Sequence, residues 1–143
     1  TATRVLDKAL RASGNSNPKI AVAGLNPHAG DGGMFGSEEI DIIEPAVRLA
    51  QKEGLNVAGP FPPDTIFLNG RDGKYDAIVT MYHDQGQIAM KLMGFDHGVT
   101  VHAGLDYPVT TSAHGSAYDI AGQGIANVRA LKEAFLLACS MSR

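Results

Sequence analysis

The chain is 143 residues long, enough for one domain with a sizeable core, and its 44% hydrophobic and 19% charged residues describe an ordinary globular protein. A formal charge of -3 without basic runs argues against a nucleic-acid surface, and no apolar run is long enough to span a membrane. One cysteine, Cys139, excludes an internal disulfide, and with no secretory pattern the cytoplasm is the default expectation.

The chain opens on Thr1 directly in helical pattern, which fits a portion of a longer protein. Val5, Leu6, Ala9 and Leu10 give Thr3 to Ser13 a helical stripe that Gly14 closes. A short apolar strand follows from Lys19, and it runs into the loop Asn26 to Gly36. Ser37 is the expected cap of the next helix, whose first turn carries Glu38 and Glu39 in favourable interaction with the helix dipole. Ile40, Ile43, Val47 and Ala50 predict its buried stripe, with a kink or break at Glu44 because Pro45 follows. Gly54 ends that helix, and Leu55 to Ala58 offers a short strand. Gly59-Pro60-Phe61-Pro62-Pro63 then forces an extended segment before a helical stretch from Asp64 to Leu68 and a surface turn from Asn69 to Gly73.

Ala77 to Met81 lacks charge and reads as a buried strand of a parallel sheet, ending abruptly in Tyr82-His83-Asp84-Gln85-Gly86. Gly86 to Met93 reads as a helix, Gly98 to Ala103 as a strand, Leu105 to Ser112 as irregular, and Gly115 to Ala121 as helical. Asn127 is the expected cap of a last helix with Val128, Leu131, Phe135 and Ala138 on one side, and Cys139 reads as core in that helix. Strands alternating with helices predict one α/β domain over residues 1–143, three layers deep with a mainly parallel sheet.

Two strands of this pattern end in a histidine. If they lie in one sheet and point the same way, His28 and His83 emerge at the carboxyl edge, where open α/β sheets bind ligands. Two imidazoles there can hold zinc, manganese, cobalt or a similar ion, although a catalytic site needs about three protein ligands. Asp84, Asp31 or another chain can supply the third, and Asp84 can instead orient its neighbour or cap the helix. Each histidine can equally serve only to hydrogen-bond loop backbone. Gly30 to Gly36 follows a strand and precedes a helix, as a dinucleotide loop does, but Phe35 occupies the last glycine position of G-x-G-x-x-G. Lys91 lies about two helical turns beyond His83 and can reach toward a substrate anion or stand solvated.

Asn26-Pro27-His28-Ala29-Gly30, Tyr82-His83-Asp84-Gln85-Gly86 and Lys91 together resemble the 4-hydroxythreonine-4-phosphate dehydrogenase family of vitamin B6 biosynthesis. The tract His114-Gly115-Ser116-Ala117-Tyr118-Asp119-Ile120-Ala121-Gly122, with Ala126-Asn127, resembles isocitrate and isopropylmalate dehydrogenases, the wider superfamily. The resemblance covers nearly the whole chain but only the C-terminal portion of a typical member, a two-domain dehydrogenase. It implies NAD-dependent oxidation of a secondary alcohol beside a carboxylate, followed by loss of carbon dioxide, with NADP as the other possible cofactor. It further implies a divalent metal (Zn, Mg, Mn or Co) on His28 and His83, and a homodimer whose partner supplies a third histidine from the preceding portion. Lys91 matches a substrate-binding lysine, His114 and Asn127 match adenine-contacting positions, and Asp84 and Lys91 are the two candidates for taking the alcohol proton.

Two positions depart from the biosynthetic enzyme. Thr100 stands where that family has a substrate-binding asparagine and Thr110 where it has an arginine, so a charge and a bidentate fork are missing. The substrate expectation is therefore a small hydroxy acid of the 4-hydroxythreonine-4-phosphate type or a paralogous one, such as a cis-dihydrodiol carboxylate or a sugar-acid phosphate. The rival expectations are a non-catalytic fragment or degenerate paralogue that binds metal or nucleotide without turnover, and a metallohydrolase using His28, His83 and Asp84.

Overall fold

The computed structural model describes residues 1–142. Its organising element is β1 (Ile20–Ala23), four apolar residues that are all buried. β1 is the middle strand of a parallel sheet, with β2 (Val57–Phe61) on one side and β3 (Ala77–Val79) on the other. Successive side chains of a strand point to opposite faces, so β1 feeds two cores at once. Ile20 and Val22 pack with Ile43, Val47, Ala50 and Val57, and with Leu6 and Leu10. Ala21 and Ala23 pack with Ile66, Phe67, Tyr75 and Ile78. On the first face the helical residues come from α1 (Ala2–Ala12), α2 (Glu44–Lys52) and the turn before it, and on the second Ile66 and Phe67 come from α3 (Ile66–Arg71), which gives the expected three-layer α/β/α arrangement.

The remainder of the chain adds a second, smaller sheet. α4 (His83–Gly94) leaves β3, and β4 (Val99–Val101) pairs antiparallel with β5 (Thr110–Ser112) in a separate two-stranded sheet. α5 (Arg129–Met141) lies against this hairpin through the buried Ala130 and Ala134, and the Thr110 hydroxyl donates to the Ala134 carbonyl at 2.8 Å. Two alanines one turn apart leave room for such an approach.

Several expectations change. The stretch before Ser112 is not wholly irregular, because Thr110 to Ser112 finds a partner in β4. Only Tyr118–Ile120 of the tract after Gly115 is helical, as a single 3₁₀ turn with Ala117 left-handed before it. The packed face of α5 is the alanine face; Val128, Leu131 and Phe135 are exposed, and so is Cys139. Ile40 is exposed as well, whereas Ile43, Val47 and Ala50 are buried as expected. β3 stops at Val79 and is half-buried, because β1 is its only partner strand among the described residues. The break at Glu44 is real: a π-helical turn, Glu39–Ile43, precedes it, and α2 begins with Pro45 in its first turn. Ser37 does not cap with its side chain; its hydroxyl donates to Asp41 Oδ2 at 2.6 Å while its carbonyl accepts from the Ile40 and Asp41 amides.

β2 runs further than the sequence suggests, through Gly59 and Pro60 to Phe61. Pro60 is tolerated because β2 is an edge strand, and the register against β1 slips between Ala21 and Ala23, a bulge opposite Val22. Gly59 has φ 139, and a Cβ placed on it would lie 2.5 Å from the Val22 carbonyl oxygen. Gly59→Ala is therefore expected to destabilise the domain by about 3 kcal/mol, from left-handed strain plus displacement of β1 backbone. Urea unfolding of the variant beside the parent checks it.

Candidate functional site

β1 and β3 are neighbours and parallel, so the segments that leave their carboxyl ends emerge on one edge of the sheet. The first carries His28 and the second His83. The path through His28 is unusual: His28, Ala29, Gly30, Asp31 and Gly32 all have positive φ, between 43 and 83. Left-handed backbone costs non-glycine residues roughly 1–2 kcal/mol each, so something nearby must hold the loop.

The holder is Glu39. Its side chain is buried, 3% exposed, at the start of the π-helical turn. Its Oε1 accepts from the amides of Leu25 at 2.7 Å and Asn26 at 2.8 Å, and its Oε2 accepts from Asn26 Nδ2 at 2.9 Å. Asn26 Nδ2 also donates to Glu38 Oε2 at 2.7 Å. Burial by itself would raise the Glu39 pKa, but the amide and side-chain hydrogen bonds from Asn26, the amide of Leu25 and Glu39's own backbone hold it below the ordinary glutamate value. The sequence reading missed this role, since a second carboxylate in a first helical turn looks the same whether it faces the dipole or a loop.

His83 opens α4 and is exposed. Asp84 Oδ1 lies 2.7 Å from its Nδ1. A carboxylate accepts only, so the contact puts a proton on Nδ1, and in the neutral form of the ring the lone pair is then on Nε2, the arrangement that prepares a histidine to bind a metal. Asp84 thus stands as the orienting partner of His83 and not as a helix cap. Among the described residues, no three His, Cys, Asp or Glu side chains converge to hold an ion. The donors fit a transition metal in kind, two imidazoles at one sheet edge, and in number they fall short of a complete catalytic set.

Gln85 connects the two strand ends: Nε2 donates to the Gly24 carbonyl at 2.9 Å, and Oε1 accepts from the Met81 amide at 2.8 Å. Asp84 and Gln85 also line a recess of about 480 Å³ between α3 and α4, with Tyr82, Arg71 and Phe67. Lys91 is exposed on α4. Thr100 is exposed on β4 opposite Thr111, and the single hydroxyl proton of Thr110 is committed to Ala134.

His114 and Asn127 meet elsewhere, in a recess of about 420 Å³ whose other walls include Phe95, Asp96, Asp119 and Ile120. His114 Nδ1 lies 2.9 Å from the Gly115 carbonyl, so Nδ1 carries the proton and Nε2 is left as an acceptor. Asn127 lies one residue before the cap of α5, which is Val128, so it is not the expected cap; its Oδ1 accepts from the Arg129 amide at 3.0 Å, which leaves its NH₂ free to donate. Among the described residues the recess has two carboxylates and no lysine or arginine in its lining.

The family model for the pyridoxal phosphate biosynthetic protein PdxA matches residues 1–138. The chain belongs to this family. A PdxA-family relative from Rhizobium meliloti, provisionally named 4-hydroxythreonine-4-phosphate dehydrogenase 2, is 62% identical over 94% of this chain and 38% of its own length. The D-threonate 4-phosphate dehydrogenase of Pectobacterium atrosepticum is 45% identical over 99% of this chain and 44% of its own. The crystal structure of 4-hydroxythreonine-4-phosphate dehydrogenase from Klebsiella pneumoniae superposes with a TM-score of 0.85 at 44% identity, covering 99% of this chain and 43% of that one. The chain thus spans about two fifths of the length of these PdxA-family proteins. No helix among the described residues is long and apolar enough to cross a membrane.

Glu39 yields a prediction with a definite sign. A carboxyl whose pKa is lowered by folding contributes stability that is complete above its ordinary pKa and is lost as pH falls through the lowered value. Glu39→Gln places an NH₂ where only acceptors are satisfied, so it is expected to cost about 2 kcal/mol at neutral pH. Below the glutamate range the gap between variant and parent should narrow, as followed by urea unfolding at several pH values.

Proposed function

We propose that this chain is the C-terminal portion of a metal-dependent NAD oxidoreductase that oxidises, and then decarboxylates, a small hydroxy acid of the 4-hydroxythreonine-4-phosphate class. The observation that carries the reading is the pairing of β1 with β3, which brings His28 and His83 to one sheet edge in a PdxA-family chain. In this reading both imidazoles bind a divalent ion, Zn, Mg, Mn or Co, and the histidine that completes the set comes from the preceding portion of a partner subunit in a homodimer. Such an ion supplies Lewis acidity toward the hydroxyl and carboxylate oxygens of the substrate. Asp84 keeps the His83 proton on Nδ1, so the Nε2 lone pair stays available to ligate the ion.

Either Lys91 offers the positive charge of its ammonium to the substrate anion and Asp84 takes the proton of the alcohol, or Lys91 as the free amine takes that proton itself. Thr100 and Thr110 replace residues with stronger hydrogen-bonding reach, which favours a substrate that asks less of the hairpin than a doubly held phosphate or carboxylate does. His114 and Asn127 bind the adenine, the first as an acceptor through Nε2 and the second as a donor through Nδ2. The carboxylates of Asp96 and Asp119 in the same recess repel a phosphorylated ribose and leave an unphosphorylated one to be hydrogen-bonded, which favours NAD over NADP. A place in the cytoplasm suits such a cofactor.

Two measurements on the complete enzyme test this. His83→Ala should abolish metal-dependent nicotinamide reduction while the circular dichroism spectrum stays that of the parent; undiminished metal affinity in the variant would sink the metal assignment. Asp119→Asn should raise the KM for NAD and lower the NAD-to-NADP preference by roughly tenfold, the worth of about one charged contact. An unchanged ratio would remove Asp119 from cofactor selection.

A further inference from the structure

We propose that Gln85 is a positioning residue that sets His28 and His83 relative to each other, by joining the segment after β1 to the segment after β3 with its side-chain amide. The inference rests on the reading of the two histidines as metal ligands. The ladder between β1 and β3 ends at Val22 and Val79, so beyond that point the two backbones have no direct pairing in register. Gln85 extends the connection with its own side chain, Nε2 to the Gly24 carbonyl and Oε1 to the Met81 amide, at 2.9 and 2.8 Å. Both halves of the carboxamide are used on backbone, and the side chain is half-buried between the strands it joins.

The joined positions are well chosen. Gly24 is four residues before His28, and Met81 is two before His83. The Gly24 amide donates to the Phe61 carbonyl at 2.8 Å, so this residue is tied to β2 through its N–H and to Gln85 through its C=O. The next two amides are held by Glu39. The backbone is therefore pinned at every residue from Gly24 to Asn26, and Gln85 is the pin that carries this order across to His83. Only a carboxamide offers a donor and an acceptor at these two points. Glutamate keeps the acceptor for Met81 and turns a lone pair toward the Gly24 carbonyl; methionine has the length and neither group.

The test is Co²⁺ binding to the complete protein, measured by equilibrium dialysis and by the d–d absorption of the bound ion, for the parent, Gln85→Met, Gln85→Glu and His83→Ala. Gln85→Met and Gln85→Glu should weaken Co²⁺ binding by about 10–100-fold, the range for groups that support metal ligands from behind, and should alter the absorption envelope at saturation. A purely structural role would lower the melting temperature of the metal-free protein and leave the affinity and spectrum as in the parent, and that result overturns the proposal. If Gln85→Met does not fold, Gln85→Glu decides alone. His83→Ala separates the two levels: parental Co²⁺ binding in that variant defeats the metal reading itself, whereas its loss together with parental binding in both Gln85 variants defeats only the role of Gln85.

Discussion

A buried carboxylate is tolerated only where hydrogen bonds replace the water it has lost, and Glu39 meets that condition by taking hold of a loop. The arrangement is reciprocal. The loop gains fixed positions for its first residues, and Glu39 gains the donors that keep it ionised. Around this contact the chain can afford no side chain at two glycines: a Cβ on Gly30 would meet Glu39 Oε2 at 2.7 Å, and one on Gly24 would sit 3.0 Å from both Oε1 and the Ala29 backbone. The left-handed course of His28, Ala29 and Asp31 is thus imposed by neighbours and not by local preference.

The parallel sheet was legible because its evidence is local. An uncharged run such as Ile20 to Ala23 between turn signals announces a strand, and Pro45 announces where a helix must break. The histidines were legible as candidates for a similar reason, since each stands shortly after the end of such a run. What escaped depends on partners distant in sequence. Thr110 to Ser112 has no apolar alternation to declare a strand; it becomes one because β4 offers an edge and Ala134 offers a carbonyl. In α5 the periodicity of Val128, Leu131 and Phe135 correctly marks an apolar face, yet the hairpin takes the alanine face, because a close approach rewards small residues. Glu39 and Gln85 were hidden in plain sight: their side chains act on backbone atoms, and backbone atoms leave no pattern in a sequence.

Two electrostatic environments coexist on this chain. At the sheet edge a carboxylate directs the proton of a histidine and leaves the other ring nitrogen open. In the recess of His114 and Asn127, each polar side chain spends one hydrogen-bonding group on nearby backbone and presents the other outward. Both are forms of preorganisation, in which the orientation of a group is settled before anything binds.

The same separation has a consequence for how proteins of this kind change over time. The histidine-bearing edge is secured within the parallel sheet, by Glu39 and Gln85, whereas Thr100 and Thr110 belong to the antiparallel hairpin, which is braced by α5. Substitutions on the hairpin can therefore change its surface without loosening the edge that carries His28 and His83. A lineage built on this plan can vary one region of the surface while the other keeps its shape.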